Sequence, residues 1–492
     1  MLHRLPSWTG LWAASVTAAA AAATKRPLQH ALFDMRLGNQ TQTLTKTPAL
    51  PCDGGGDLTL LLSDELLLRV LAAVPDSLRL PASLVCKRWF RLVGRLRRSL
   101  TLLEWSFLDT GRLPLRFPDL TDLDLVPASF ALPSGSAAGA PILTSGPVSV
   151  VVDTHADPPV GDCRFLDPDA IDRCLEIVAR ECPGLRKLSL VSVASETGLM
   201  AVAGGCETLQ ELELHRCSDL ALRPISAFAN LQILRVVGSV EGLYRGPGVT
   251  DIGLTILGHG CQRLVKLELS GCEGSYDGIS AIGRCCLMLE ELTIADHRMD
   301  AGWLAALSFC ANLKTLRLQN CRSIDADPGP LEHLGACPAM ETLQIHRCQL
   351  RDRRSLQALF MVCETIRDLV LEDCWGLEND LFSLASISRR VMHLSLKGCS
   401  RVTTAGLEQV VLSWIDLQRL TVVSCNKIKD SEVSPALSSR FFYLKELKWR
   451  PDSKSVLAMS LVGMRLGRKG GRFFKRRTLW VQHRLKDNEE EL

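Results

Sequence analysis

The chain has 492 residues, 47% of them hydrophobic, so it is long enough to bury a large core. A net charge of +3 gives no global field of the kind that draws a protein to nucleic acid or an anionic membrane surface. The 19 cysteines include no C-x-x-C pair, which argues against structural zinc.

Residues Leu5 to Thr24 carry no charge, Ala18 to Ala23 is pure alanine, and the first acid is Asp34. This profile fits a signal or transit peptide, or else a disordered low-complexity N-terminus. Alanine is only weakly apolar and Pro6 interrupts the run, so a membrane span is not expected. Asn39-Gln40-Thr41 is a formal glycosylation triplet. Residues 1–57 are read as an N-terminal region and linker, ending in Cys52-Asp53-Gly54-Gly55-Gly56.

At Leu58 the character changes. Ser63 is a helix N-cap candidate, Asp64 and Glu65 fill the first turn, and apolar residues follow at helical spacing as far as Val74-Pro75. A second helix is expected from Leu80 through Phe90, and a basic third one from Arg91 to Leu100. About forty residues cannot bury a stable core alone. Their leucines and Trp89 therefore point to a partner surface.

Leu120-x-x-Leu123-x-Leu125 opens a repeating frame. Pro127 to Pro159 is rich in Pro, Gly, Ala and Ser and reads as an irregular excursion. The frame L-x-x-L-x-L-x-x-C then recurs, most clearly at Leu313-Leu316-Leu318-Cys321. Successive starts from Leu185 to Leu444 lie 24, 22, 33, 25, 24, 27, 26, 25, 26 and 27 residues apart. A period in the twenties with this consensus is the pattern of leucine-rich repeats: an α/β solenoid of alternating strand and helix over 115–452. Cysteines fall at the ninth place of the frame (Cys217 to Cys425) and three residues before it (Cys182 to Cys363). They read as reduced, packed thiols of a cytoplasmic or nuclear protein. Val249 to Cys261 is the clearest repeat helix, with Thr250 as its cap and Gly260 at its end, and Arg401 to Leu407 echoes it. The 33-residue step places an insertion at Gly238 to Gly248, containing Tyr244 and Arg245.

Alternate strand residues point away from the core, so the concave face is readable. It carries eight basic and seven acidic side chains, the acids gathering early and the bases late. A nucleic-acid groove would be markedly basic, whereas a mixed face suits a protein ligand. Glu211, Glu213, Glu268, Arg235, Arg317, His346, Lys397 and Arg419 are the candidate target contacts. His215, His346 and His393 lie too far apart to share a metal, and no metal site is expected. No H-E-x-x-H, G-x-S-x-G or phosphate-loop motif occurs, so no catalytic residue is assigned. Residues 453–492 form a basic tail, with seven Lys and Arg between Met464 and Arg477, closing on Glu489-Glu490-Glu491.

Residues 58–105 resemble an F-box. Leu62, Glu65, Leu66, Leu67, Val70, Leu71, Val74 and Pro75 match its first helix, and Val85-Cys86-Lys87-Arg88-Trp89 matches its second motif at the right distance. Ser63 stands where the family usually has proline, and both residues start helices well. The whole chain resembles plant-type F-box/LRR proteins, the substrate receptors of SCF ubiquitin ligases. The resemblance implies that Leu62, Leu66, Leu71, Pro75, Val85 and Trp89 contact a Skp-type adaptor, which links to a cullin. The repeats would hold a protein target for ubiquitin-dependent degradation. It further implies a non-catalytic subunit with no cofactor and no nucleic-acid or membrane partner. Two alternatives stay open: a repeat scaffold without ligase link, and an exported recognition protein.

Overall fold

The computed structural model describes residues 58–102, 105–129, 167–192, 196–239, 248–453 and 455. The alanine run, the Asn39 triplet, most of the excursion after Ser129, residues 240–247 of the insertion and the basic tail lie outside the described residues. The chain divides into two compact units, the first running to Arg216 and the second beginning at Cys217.

The first unit opens with three helices: α1 (Asp64–Ala73), α2 (Asp76–Ser83) and α3 (Lys87–Arg95). Ser63 caps α1, its hydroxyl accepting from the Leu66 amide at 3.3 Å. The expected second and third helices are corrected. Helix α2 begins directly after Pro75 and ends at Ser83, because Cys86 is extended and its sulfur accepts from the Trp89 amide to start α3. The segment to Leu100 is not helical throughout. Leu100 and Leu102 are buried at alternate positions, and Ser99–Thr101 forms strand β1. Short helices α4 (Ser106–Asp109) and α5 (Leu113–Arg116) follow, then β2 (Asp122–Asp124) and the turn Pro127–Ser129. Helix α6 (Pro168–Glu181), β3 (Lys187–Val191), α7 (Thr197–Gly205) and β4 (Glu211–His215) complete the unit. Strands β1 to β4 pair in parallel and in chain order.

Among the described residues the second unit holds nine strands. They are β5 (Ile233–Val237), β6 (Lys266–Ser270), β7 (Glu291–Ala295), β8 (Thr315–Gln319) and β9 (Thr342–His346), then β10 (Asp368–Glu372), β11 (His393–Lys397), β12 (Arg419–Val423) and β13 (Glu446–Arg450). Each pairs in parallel with the next, without slip: Leu267, Leu292, Leu316, Leu343, Leu369, Leu394, Leu420 and Leu447 share one register row. These leucines are buried while their neighbours face outward, so shifting any strand by one residue would turn its apolar set into solvent. The connections carry helices α8 (Asp251–Gly260), α9 (Tyr276–Cys285), α10 (Trp303–Ala306), α11 (Arg353–Val362), α12 (Asn379–Phe382), α13 (Thr404–Ser413) and α14 (Pro435–Phe441), with short 3-10 turns elsewhere. Thr250 caps α8 as expected, but Gly260 serves packing rather than a left-handed cap. Its φ is not positive, and a Cβ there would come within 3.1 Å of Ser226.

Two columns of thiols run through the repeats. In the column preceding each frame, three thiols donate to the carbonyl of the counterpart one repeat earlier: Cys206 to Cys182 at 3.3 Å, Cys286 to Cys261 at 3.4 Å, Cys337 to Cys310 at 3.3 Å. Ser388 continues the column, its hydroxyl donating to the Cys363 carbonyl at 3.2 Å. Of the ninth-place thiols, Cys272, Cys321, Cys374, Cys399 and Cys425 donate to the preceding strand, Cys374 to Ile345 at 3.3 Å. All 17 described cysteines are free. The eighth place of the frame is where each strand turns away, and it takes positive φ at Arg216, Gly271, Asp296, Asn320, Arg347, Asp373, Gly398 and Ser424.

Candidate functional site

The helical module presents the first surface. Leu67 and Leu71 on one side of α1 pack with Leu92 and Val93 of α3, with Leu62, Trp89 and Leu96 closing around them. Arg88 ties the start of α1 down, donating to Asp64 at 2.7 Å and to the Thr59 carbonyl at 3.0 Å. Arg79 donates to the carbonyls of Ala72 and Val74, satisfying the end of α1. The Arg116 guanidinium lies 3.1 Å over the Phe90 ring and donates to the Phe90 carbonyl, fastening α3 to α5.

Several apolar side chains remain outside. Leu66 is 50% exposed and Val85 65%, and Pro75 is also exposed. Leu62 and Trp89 are half-buried. Leu71 is corrected: it is fully buried, so it supports the surface and cannot touch a partner. Leu60, Leu61, Val70, Leu78, Leu80 and Leu84 are also exposed, though none is among the six assigned contacts. Val70 sits one turn beyond Leu66, the helical i+4 spacing that would have flagged it. So many large exposed apolar side chains on so short a module point to a partner surface.

The second surface is the strand face turned away from the helices. In the first unit, Lys187 reaches Glu211 at 2.7 Å, and Glu213 accepts from Ser189 at 3.2 Å and holds His215 at 2.8 Å. Asp124 lies among these groups, and burial raises its carboxyl above the usual range. In the second unit, Glu268 meets Arg235 at 2.8 Å and Lys266 at 3.1 Å. Glu291 meets Lys266 and Arg317, each at 3.6 Å, and Arg317 donates to Gln344 at 2.9 Å. Glu372 holds His346 at 3.3 Å and Lys397 at 3.7 Å, and Asp368 holds His393. Burial lowers the His346 imidazole even with Glu372 beside it. Arg419 is exposed. Of the candidate contacts, Arg235 and Glu268 pair directly, Arg317 reaches Glu268's neighbour Glu291, and His346 and Lys397 share Glu372. Glu211 and Glu213 stand on the first unit's face.

Among the described residues, no group of three or more His, Cys, Asp or Glu is placed to hold a metal, and no helix is long and apolar enough to cross a membrane. The cavities are shallow and outside both surfaces; one of about 250 Å³ lies along Arg322–Ala326 and Gln349–Asp352.

Parallel strands in chain order, each followed by a helix or turn and led by a small helical module, make this a leucine-rich-repeat protein of the α/β class. The chain is similar to F-box/LRR proteins. It is 31% identical over 152 residues to a transport inhibitor response 1-like protein of Oryza sativa subsp. japonica, covering 30% of this chain and 25% of that one. It is 27% identical over 238 residues to F-box/LRR-repeat protein 4 of Bos taurus, covering 47% and 37%. It is 25% identical over 198 residues to F-box protein SKIP19 of Arabidopsis thaliana, covering 40% and 55%. The matches span between a quarter and about half the length of these relatives. No protein-family model matches the chain.

Proposed function

We propose that this chain is the substrate-recognition subunit of an SCF-type ubiquitin ligase. The exposed apolar side of residues 58–105 docks a Skp-type adaptor and through it a cullin. The repeat face holds a protein target for ubiquitin-dependent degradation. The chain itself is non-catalytic and supplies proximity and choice. The observation that carries the reading is the exposure of Leu66, Val70, Leu84 and Val85 on a three-helix module whose core holds Leu67, Leu71, Leu92 and Val93. Similarity to F-box/LRR proteins supports it. Free buried thiols throughout the repeats support a reducing compartment, the cytoplasm or nucleus.

The test is co-purification of the full chain with a Skp-type adaptor, comparing wild type with Leu66→Asp, Val85→Asp. Both positions are exposed, so the variant keeps its fold, as circular dichroism would check. Wild-type capture lost in the variant is expected. No capture by wild type would leave a repeat scaffold without ligase link.

A further inference from the structure

The outward face of the second unit changes character at its last strands. From β5 to β10 every acid is already engaged. Arg235 and Lys266 hold Glu268, Lys266 and Arg317 hold Glu291, His393 holds Asp368, and His346 and Lys397 hold Glu372. On β12 and β13 the cations stand open. Arg419, Lys448 and Arg450 are exposed, and among the described residues no ion pair reaches any of the three. Glu446 is the only acid at an outward position of β11 to β13.

Register fixes the layout. Lys397, Val423 and Arg450 form one row, and Ser395, Thr421 and Lys448 the next. Strands lie ~4.8 Å apart and outward residues ~7 Å apart along a strand, so the Lys397 and Arg450 backbones are about 10 Å apart with Val423 between them. Three unpaired cations, Arg419, Lys448 and Arg450, together with Lys397 that already holds Glu372, thus border a centre of half-buried Thr421 and Val423. Unpaired like charges on a rigid sheet repel, and carboxylates placed among them gain charge-assisted hydrogen bonds without reorganising the sheet.

We infer that this end of the face binds an acidic linear segment of the target in extended form, its carboxylates at alternate positions turned toward these cations and the residues between them turned away from the sheet. The inference rests on the receptor reading and narrows the target's chemistry. An extended strand spaces alternate side chains by about 7 Å, matching Lys448 to Arg450 along β13.

The probe is a fluorescein-labelled short peptide of alternating Glu and Val, read by anisotropy on the full chain. Its Gln-Val analogue and a single-stranded oligonucleotide are run beside it. Charge reversal at Arg419→Glu, Lys448→Glu, Arg450→Glu is expected to weaken the Glu-Val peptide by roughly tenfold or more. The control Arg389→Glu, Arg390→Glu, also exposed but off this face, is expected to leave binding unchanged. Equal binding of the Gln-Val analogue, no effect of the triple reversal, or no binding by wild type would each overturn the inference. Tighter binding of the oligonucleotide, lost in the triple variant, would reassign the face to nucleic acid. Adaptor capture is measured on the same preparations. Its retention without peptide binding sinks this inference alone, and its loss with peptide binding intact sinks the receptor reading alone.

Discussion

The Asp251 carboxylate, on the first turn of one repeat helix, caps the next helix at Gly278. It accepts from the Ser275 amide and the Ser275 hydroxyl, each at 2.7 Å, and from the Gly278 amide at 2.9 Å. Gly278 is glycine because a Cβ would collide with that carboxylate and with Leu254. The same relation recurs between Asp172 and Gly198 and between Asp219 and Gly253, while Asn379 accepts from the Thr403 amide and stands where a Cβ on Gly406 would fall. The acid and the glycine of a V-T-D-x-G-L segment therefore serve different neighbours: the glycine receives the acid of the preceding repeat, and the acid reaches the following one.

Asp251→Ala is expected to cost about 1–2 kcal/mol, since the start of α9 loses three donor contacts at once. Gly278→Ala is expected to cost a similar amount through collision. The double variant should cost less than the sum, because removing the carboxylate clears space for the new methyl group. Urea unfolding of the three variants measures this, and strict additivity would refute the shared cause.

Leu71→Ala and Leu66→Asp separate packing from contact. Leu71 is fully buried, so its truncation should cost about 2–5 kcal/mol and lower the melting temperature. Leu66→Asp should leave stability nearly unchanged while abolishing adaptor capture. The reverse pattern would mean that the exposed side of α1 has been misplaced.

Asp124 gives a pH dependence of known sign. Burial raises its folded pKa above the ordinary 3.8, so the charged form is disfavoured in the fold. Its contribution is fully present below pH 3.8 and is lost as pH rises through the folded value. Asp124→Asn keeps an oxygen to accept from the Val126 amide, a bond of 3.0 Å in the wild type. The variant should match wild type near pH 3 and gain stability toward neutral pH. Denaturation midpoints at both pH values decide it, and a gain confined to low pH would contradict the assignment.

The thiol columns should be chemically silent. Burial pushes Cys182, Cys261 and Cys310 up to about 12 and Cys206 and Cys337 to about 11. Reactive thiolate is therefore scarce and inaccessible. Mass-spectrometric mapping after brief maleimide labelling of the native chain should find exposed Cys86 modified and these five protected. Denaturant should release them. Native labelling of the columns would show that the repeats open readily.

Gly398→Ala tests the turn that follows each strand. At φ +63° an alanine costs about 1 kcal/mol, and here its methyl would also meet the Asp373 side chain. A thermal melt should show a clear loss, whereas Ser424→Gly, at the same place of the frame, should show little change.

The strand frame was legible because one buried leucine row enforces both period and register: Leu316, Leu343 and Leu369 could be aligned from sequence alone. Strand β1 was not, since Leu100 and Leu102 lack the leading leucine of the frame and follow a helical stretch without punctuation. On α1 the spacing offered two faces, Leu66 with Val70 and Leu67 with Leu71. Periodicity alone does not say which one α3 covers. The left-handed eighth place was visible at Gly271 and Asn320, but Arg216 and Arg347 conceal it, because their sterically costly conformation is imposed by the stacked neighbours.

Because the starts of α7, α8 and α9 are each completed by a carboxylate of the repeat before it, these repeats are interchangeable parts with one polarity. Asp219 and Asp251 present the same carboxylate to the same backbone pattern, Thr250 to Gly253 and Ser275 to Gly278. Excision of one whole period between them would leave Asp219 facing Gly278 and no donor stranded. Duplication would likewise create a matched junction. Gene-level loss or gain of such full repeats can thus lengthen or shorten the strand face without a compensating mutation, while a partial period would break both the cap and the leucine row.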